Sequence, residues 1–376
     1  MRIAILGNQA RGMINFWLVL INTMRRYGHE VACFVPDADS EWATQLRQQG
    51  IVVRGYPLDR KGINPLNDLE TLYELYRDFD ELKPDALFAF TIKPIIYGCL
   101  AARFAGIPHI FATITGLGYT FETETFLKRC LNKLAIFLYR AALSRAERIF
   151  FQNQDDKKMF VDAGIVKDSD KIVMCKGTGV DTEHFAPAPV VTDPPTFLLV
   201  GRLLEAKGIT EFAAAAHKLK IRYPNARFQV LGPQETGLGS ISPKLIEAWV
   251  NAGDIEYLGE TTDVRPYITK ASVMVLPSWR EGTPCAIMEG MSMGRPAVVT
   301  DAPGCREVVQ DGVNGILVPV KNEAHLADAM ESFILDPQKI TQMGAASRRM
   351  AEDVFDARTV AAQILTAMRV ENRHDQ

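Results

Sequence analysis

The chain lacks most features that would mark a secreted, metal-binding or nucleic-acid-binding protein. Its six cysteines (Cys33, Cys99, Cys130, Cys175, Cys285, Cys305) are widely scattered with no CxxC pair. That argues against a disulfide framework or a zinc site and for a reduced, cytosolic chain. The six histidines show no HxxxH or HExxH spacing, so no metal is expected. A formal charge of −3 gives no basis for general nucleic-acid binding. No window reaches 18 uninterrupted apolar residues, so no transmembrane helix is expected. Residues 1–7 (MRIAILG) read as a buried strand, because a signal peptide needs a longer apolar core and a small-residue cleavage site. The expected location is cytosolic, at most peripheral to a membrane. Gly7 to Gly12 (GNQARG) is not a P-loop, since Met13-Ile14 follow where Lys-Ser/Thr are needed, and it is not GxGxxG either. Asp168-Ser169-Asp170 imitates a metal-binding DxD but sits in a lysine-flanked polar loop, where a surface turn is the simpler reading.

What is present is a long alternation of short apolar runs and helical stretches. At 376 residues two domains are the better expectation. RIAILG (2–7), HEVACFVP (29–36), ALFAF (86–90), HIFATI (109–114) and RIFFQN (148–153) are strand candidates in the first half. Helices are expected over Phe16–Arg26, Leu69–Leu82 and Thr123–Ala146. A proline-rich break at Phe185–Pro195 follows, and the pattern restarts with TFLLVGR (196–202), RFQVLG (227–232), IEYLG (255–259), ASVMVLP (271–277), PAVVT (296–300) and GILVPV (315–320). This is the βαβ signature of doubly wound parallel sheets. The expected architecture is α/β with two Rossmann-like domains, 1–190 and 191–354, facing a cleft, and a terminal helix (355–376) returning to the first domain. Ligands of open α/β sheets bind outside the carboxyl ends of the strands.

The segment Arg280 to Glu289 (REGTPCAIME) places Glu281 and Glu289 on either side of a Gly-Thr-Pro turn. Thr283 suits an N-cap, Pro284 the first helical position, and Ala286 to Met293 are good helix formers. Glu281 is then expected beside the positive end of a helix at the carboxyl edge of the strand 271–277. Backbone N–H groups at such a start attract phosphate. A carboxylate on each side suits a diphosphate flanked by two polyols, which is the chemistry of a nucleotide-sugar. Gly201-Arg202-Leu203-Leu204-Glu205-Ala206-Lys207-Gly208 closes another strand. Gly201 permits close backbone approach, and Arg202 and Lys207 are cations suited to a diphosphate that gains charge as its bond to a sugar breaks. Alone this would pass as a solvated loop; its match to the distant Glu281/Glu289 segment is the informative fact.

These residues resemble a known family, the retaining glycosyltransferases of family 4 with the GT-B fold. The likeness rests on Gly177–Asp181 with Phe185 and Pro187, Gly201-Arg202 with Lys207-Gly208, and Pro277-Ser278. It continues through Glu281-x7-Glu289, Gly294-Arg295-Pro296-Ala297-Val298 and the Gly312–Gly315 loop. The resemblance implies Arg202 and Lys207 on the donor diphosphate, Glu281 on the transferred sugar and Glu289 on the ribose. Backbone amides around Gly282, Thr283 and Pro284 would complete the phosphate cradle, with Leu258–Thr261 near the base. It implies no cofactor and no metal, the UDP-sugar being a substrate. Many members carry His-Gly at the end of the fourth strand of the first domain, where this chain reads Thr113-Ile114-Thr115-Gly116-Leu117-Gly118. Thr115 stands in the position of that histidine.

The first half resembles a narrower group that extends lipid-linked oligosaccharides, through Thr91-Ile92-Lys93-Pro94 and Ile114-Thr115-Gly116-Leu117-Gly118-Tyr119. Lys93 closes an apolar strand and could meet a phosphate. Gly12, Lys93, Thr115 and Gly116 are the candidates for an acceptor or phosphate loop. Residues 124–148 carry six basic side chains against two acidic ones. Leu127, Leu131, Leu134, Leu138 and Ala141 are expected to face the core, with Phe126, Arg129, Lys133, Phe137 and Arg140 as membrane-facing candidates. An ordinary amphipathic surface helix is the competing reading.

The expected activity is transfer of a hexose or N-acetylhexosamine, GalNAc being favoured by the narrower resemblance, from a UDP-sugar to a polyprenyl-diphosphate-linked saccharide. Competing readings are a UDP-sugar epimerase of the same fold, a glycoside hydrolase using Glu281 and Glu289, and a non-catalytic nucleotide-sugar sensor.

Overall fold

A computed structural model of the chain describes residues 1–60, 62, 64–116, 126–237 and 239–370, with only the backbone at 126–128 and 130. Two compact units divide it: residues 1–178 with 357–376, and residues 179–356.

The first unit holds a seven-stranded sheet. Its strands are β1 (Arg2–Leu6), β2 (Glu30–Val35), β3 (Val52–Gly55), β4 (Ala86–Phe90), β5 (His109–Ile114), β6 (Arg148–Phe151) and β7 (Ile172–Met174). Their order is β3-β2-β1-β4-β5-β6-β7, and every pairing is parallel. After their first residues RIAIL and HIFATI, like all of ALFAF, are almost wholly apolar because each strand is covered on both faces. On one face Phe34, Leu75, Phe79, Tyr139, Phe151 and Phe160 form a core beneath the helices Pro65–Leu82, Cys99–Phe104 and Phe126–Leu143. On the other, Trp17 stacks on Phe90 with centroids 5.0 Å apart and meets Phe88 edge-on. Ile364 and Leu365 of the terminal helix Ala357–Met368 join that second core, beside Ile21 and Met24 of the helix Leu18–Arg26.

Short strands and helix starts differ from the sequence pattern. β3 and β7 were not expected: VVRG is half-exposed at the sheet edge and IVM is only three residues long, so neither shows an apolar run. The helix expected from Phe16 begins at Ala10 and passes through a π-helical turn, Met13–Trp17, before Leu18–Arg26. The helix expected from Leu69 begins at Pro65, where Asn64 accepts the Leu66 N–H at 3.1 Å and proline occupies the first position.

The second unit repeats the plan with β8 (Thr196–Val200), β9 (Arg227–Leu231), β10 (Glu256–Tyr257), β11 (Val273–Leu276), β12 (Ala297–Thr300) and β13 (Gly315–Val318). The order is β10-β9-β8-β11-β12-β13, all parallel. In both sheets the first strand lies beside the fourth, so the winding direction reverses between β1 and β4 and between β8 and β11. Such reversals open a crevice at the carboxyl ends of the two strands.

Candidate functional site

The second unit gathers the candidate residues at its reversal point. Gly201 to Gly208 follow β8, and Pro277 to Pro284 follow β11. The two loops are fastened together. The carbonyl of Ala206 accepts the Ser278 hydroxyl at 2.9 Å and the Trp279 N–H at 2.8 Å. Gly208 is left-handed (φ 72°), and a Cβ there would lie 2.1 Å from the Pro277 carbonyl oxygen, so only glycine fits. The consequence is long-range: Lys207 Nζ reaches Glu281 Oε1 at 2.5 Å, with both side chains mostly shielded from water. Arg202 sits farther out, 54% exposed, with Glu235 at 3.6 Å.

A third loop completes the edge. After β12, Gly304 is left-handed (φ 80°), and a Cβ would fall 2.4 Å from the Glu281 carbonyl oxygen and 2.5 Å from that of Gly282. The Glu281 N–H donates to Pro303 at 2.9 Å, and Thr300 donates its hydroxyl to the Ser278 carbonyl. On the opposite flank a Cβ on Gly232 would lie 1.9 Å from the Gly201 carbonyl oxygen. Within the protein it is Gly232 that leaves no room for a side chain; at Gly201 itself a Cβ would make only ordinary contact with the Lys207 side chain. Leu258 and Thr261 lie beside Gly232, whose N–H donates to the Gly259 carbonyl at 2.8 Å. Thr261 closes a turn by accepting the Asp263 N–H at 3.1 Å.

The helix after this loop is Cys285–Ser292, and Pro284 rather than Thr283 is its N-cap residue, with no side-chain cap. The Thr283 hydroxyl is buried without a hydrogen-bond partner among the described residues, so the expected threonine cap does not form. The far end of the helix is electrostatically quenched. Arg348 donates to the Ser292 carbonyl at 2.6 Å, and the fully buried Arg295 donates to Met293 at 2.8 Å. Arg295 also donates to the carbonyls of Ile268, Ala188, Pro189 and Thr269. Burial lowers its pKa to about 10, so it remains charged at neutral pH. With the negative end satisfied, the positive end faces the Gly282–Pro284 turn. Glu289 lies just over one turn into this helix, and desolvation pushes its carboxyl up to about 7.

The first unit presents a different edge. Gly12 is inside the helical segment Ala10–Gly12, and the first N–H of that segment, on Ala10, already donates to the Asp37 carboxylate at 2.8 Å. The N–H of that helix start is thus taken by a carboxylate of the protein itself. Lys93 pairs with Asp68 at 2.7 Å, both half-buried. Asp68 also holds Tyr97, whose pKa is raised by burial first and by that hydrogen bond second. Thr91, at the end of β4, is left-handed (φ 68°), an uncommon state for a β-branched residue. Thr115 and Gly116 follow β5 and are partly buried, while Leu117, Gly118 and Tyr119 lie outside the described residues.

Along the helix Phe126–Leu143 the buried line is Ala135, Tyr139, Ala142 and Leu143. Leu134, expected in the core, is 52% exposed and Phe137 is 65% exposed, because the helix is turned by one position from the leucine line. Arg129 and Lys133 are exposed; the side chain of Phe126 lies outside the described residues. Arg140 is not a free surface cation: it donates to the Gly164 carbonyl at 3.0 Å and to that of Ala163, closing the carboxyl end of the helix Gln154–Asp162. Among the described residues no group of His, Cys, Asp or Glu is placed to hold a metal, and no helix is long and apolar enough to cross a membrane.

Gly232, Gly304, Glu235 and Trp279 complete the edge without standing out in the sequence. The strand-ending glycine of RFQVLG and the Pro303-Gly304 dipeptide were the available signals.

Two units of this topology are the architecture of the GT-B fold. Residues 194–336 match the family model for glycosyl transferases group 1, and residues 2–153 match the glycosyl transferase 4-like model. Together they take in well over half of the chain, which belongs to this glycosyltransferase family. It is 26% identical, over 97% of both chains, to the N,N'-diacetylbacillosaminyl-diphospho-undecaprenol alpha-1,3-N-acetylgalactosaminyltransferase of Campylobacter jejuni. It is 29% identical, over 70% of this chain and 69% of the other, to an Escherichia coli UDP-Gal:alpha-D-GlcNAc-diphosphoundecaprenol alpha-1,3-galactosyltransferase. The fold matches that of Anabaena Alr3699/HepE in complex with UDP, with TM-score 0.78 and 20% identity over 98% of this chain and 100% of the other.

Proposed function

We propose that the protein transfers a hexose or N-acetylhexosamine, with GalNAc favoured, from a UDP-sugar to a polyprenyl-diphosphate-linked saccharide, retaining the anomeric configuration. The observation that carries the proposal is the Lys207–Glu281 contact at the reversal point of the second sheet, beside the start of the Cys285–Ser292 helix. Lys207, Arg202 and the amides of Gly282–Pro284 stabilise the departing diphosphate. Glu281 holds the hydroxyls of the transferred sugar and Glu289 those of the ribose. The bond from the anomeric carbon to the diphosphate oxygen breaks with both electrons going to that oxygen. The acceptor hydroxyl oxygen bonds to the same face of the sugar, and its proton passes to the leaving phosphate.

The names of the Campylobacter jejuni and Escherichia coli relatives support the donor and acceptor classes. The exposed Arg129, Lys133 and Phe137 support a place on the cytosolic leaflet. A hydrolase reading leaves Lys207 and Arg202 without a task. The test is a calorimetric panel of nucleotide-sugars followed by turnover with a short-chain polyprenyl-diphosphate-GlcNAc acceptor. The expected result is UDP-sugar binding with transfer only when acceptor is present. Conversion of the UDP-sugar without acceptor, or binding with no turnover on any lipid acceptor, would refute the proposal.

A further inference from the structure

The two cations at the reversal point of the second sheet are matched by carboxylates in unlike ways. Lys207 Nζ and Glu281 Oε1 are 2.5 Å apart, with both side chains mostly shielded from water. Arg202 Nη1 stands 3.6 Å from Glu235 Oε1, and the Arg202 side chain is more than half exposed. That distance lies beyond hydrogen-bond reach. The first contact is fixed. The second attracts without setting a direction, and an exposed pair of this kind holds its partners weakly. Among the described residues Glu235 is the one charged or polar partner of the Arg202 guanidinium.

The backbone shows which member of the second pair moves. Leu203, next to Arg202, donates its N–H to the Pro233 carbonyl at 3.0 Å and accepts the Ile241 N–H at 3.0 Å. It also pairs in parallel with Gln234, the residue before Glu235. The Glu205 N–H donates to the Gly239 carbonyl at 2.8 Å. Leu203 and Ile241 are buried in the core of the unit, and Gly232 lies against the Gly201 carbonyl. The main chains beside Arg202 and Glu235 are therefore pinned to each other. Glu235 extends from this anchored segment and is mostly shielded, with its side chain 22% exposed. What is left to move is the guanidinium, at the end of a long side chain and open to solvent.

We infer that Glu235 is an internal counter-anion for Arg202, displaced by the donor diphosphate on entry and drawing Arg202 back as the nucleotide leaves. The inference rests on the reading that Arg202 meets the donor diphosphate. A diphosphate offers oxygens in bidentate hydrogen-bond geometry, whereas Glu235 offers only attraction across 3.6 Å, so the guanidinium passes to the phosphate. Glu235 is left behind, a negative charge beside a bound anion. That like charge weakens nucleotide binding and favours release of UDP. Lys207, held by Glu281, takes no part in the exchange. Glu235 is thus a positioning residue, acting on donor and product affinity through Arg202 and not on the reacting atoms.

The test is a calorimetric titration of the full chain with UDP, as wild type, Glu235→Gln, Glu235→Asp, Arg202→Ala and the Glu235→Gln/Arg202→Ala double variant. Glu235→Gln keeps the shape and removes the charge, and is expected to bind UDP roughly three- to tenfold more tightly, the scale on which one partly screened charge acts. The gain shrinks as salt is raised. Glu235→Asp, which keeps the charge, binds as the wild type does. Arg202→Ala binds more weakly, and the double variant matches Arg202→Ala alone. In steady-state turnover Glu235→Gln lowers KM for the UDP-sugar without raising kcat.

Unchanged or weaker UDP binding in Glu235→Gln overturns the inference. So does a gain that persists in the double variant, since Glu235 would then act on the phosphate directly, and so does a Glu235→Asp variant that behaves like Glu235→Gln. Arg202→Ala binding UDP as tightly as the wild type removes Arg202 from the diphosphate, and the inference falls together with that part of the transfer reading. A loss in Arg202→Ala with no effect of Glu235→Gln removes the inference alone.

Discussion

The two sheets share one winding order, yet their reversal points are chemically opposite. At the second, Lys207 and Arg202 face carboxylates across distances of 2.5 and 3.6 Å at the mouth of a helix start, and Gly208, Gly232 and Gly304 bring backbone to within contact that no side chain tolerates. At the first, the Ala10 N–H donates to the Asp37 carboxylate, and Lys93 is paired with Asp68. Topology therefore supplies a crevice twice, and the proposed function places the donor diphosphate at the second.

The largest expected effect tests that contrast with charge. Arg202→Ala is expected to lower kcat by two to three orders of magnitude, since a preorganised charge at a developing anion is worth roughly 3–4 kcal/mol. Lys93→Ala is expected to cost less than about tenfold, because its charge is already matched by Asp68. Steady-state turnover of both variants measures it, and equal losses would dissolve the distinction between the two edges.

A second prediction concerns Glu289. Its folded pKa near 7 lies above the ordinary 4.5 because burial disfavours the ionised form. The native state thus binds this proton more tightly than the unfolded chain. The associated stability is fully present below pH 4.5 and is lost as pH rises through 7. Glu289→Gln is expected to raise thermal stability at pH 8 by on the order of 1–3 kcal/mol, with the difference vanishing near pH 4. The same substitution should weaken UDP binding at pH 8, and wild-type affinity should fall as pH drops below 7 and the carboxylate protonates. A UDP affinity indifferent to both changes would detach Glu289 from the ribose.

Glycines separate the two edges at smaller scale. Gly304→Ala is expected to destabilise by about 1–3 kcal/mol through its left-handed backbone and its clash with Glu281. Gly12→Ala, in a helical segment with the nearest atom 3.9 Å from the new methyl, is expected to be neutral or to stabilise by up to about 1 kcal/mol. Thermal denaturation of the pair decides it. The smallest effect belongs to Thr115→Ala, expected to change kcat within about threefold, which is under about 1 kcal/mol; a loss of orders of magnitude would give this threonine a direct part in the chemistry.

The strands were legible because a chain buried on both faces needs unbroken apolar runs, as in ALFAF and TFLLV. β3 and β7 were not, because an edge strand is half-exposed and loses that signal. At the site, Glu281, Glu289, Arg202 and Lys207 could be chosen by residue type and position after strands. Their pairing could not, since Lys207 and Glu281 are 74 residues apart and meet only through the Ala206, Ser278 and Gly208 contacts. Thr283 misled because a threonine before proline reads locally as a cap, whereas the loop geometry makes Pro284 the cap residue. Leu134 misled because leucines on a charged helix need not be its buried line; small Ala135 and Ala142 with Tyr139 are.

The central claim is that the edge around Lys207 and Glu281 transfers a sugar with same-face attack. NMR of the anomeric centre in the product, made from a UDP-sugar and a short-chain polyprenyl-diphosphate-GlcNAc acceptor, tests it directly. The account predicts the same anomeric configuration as in the donor. An inverted linkage would contradict it.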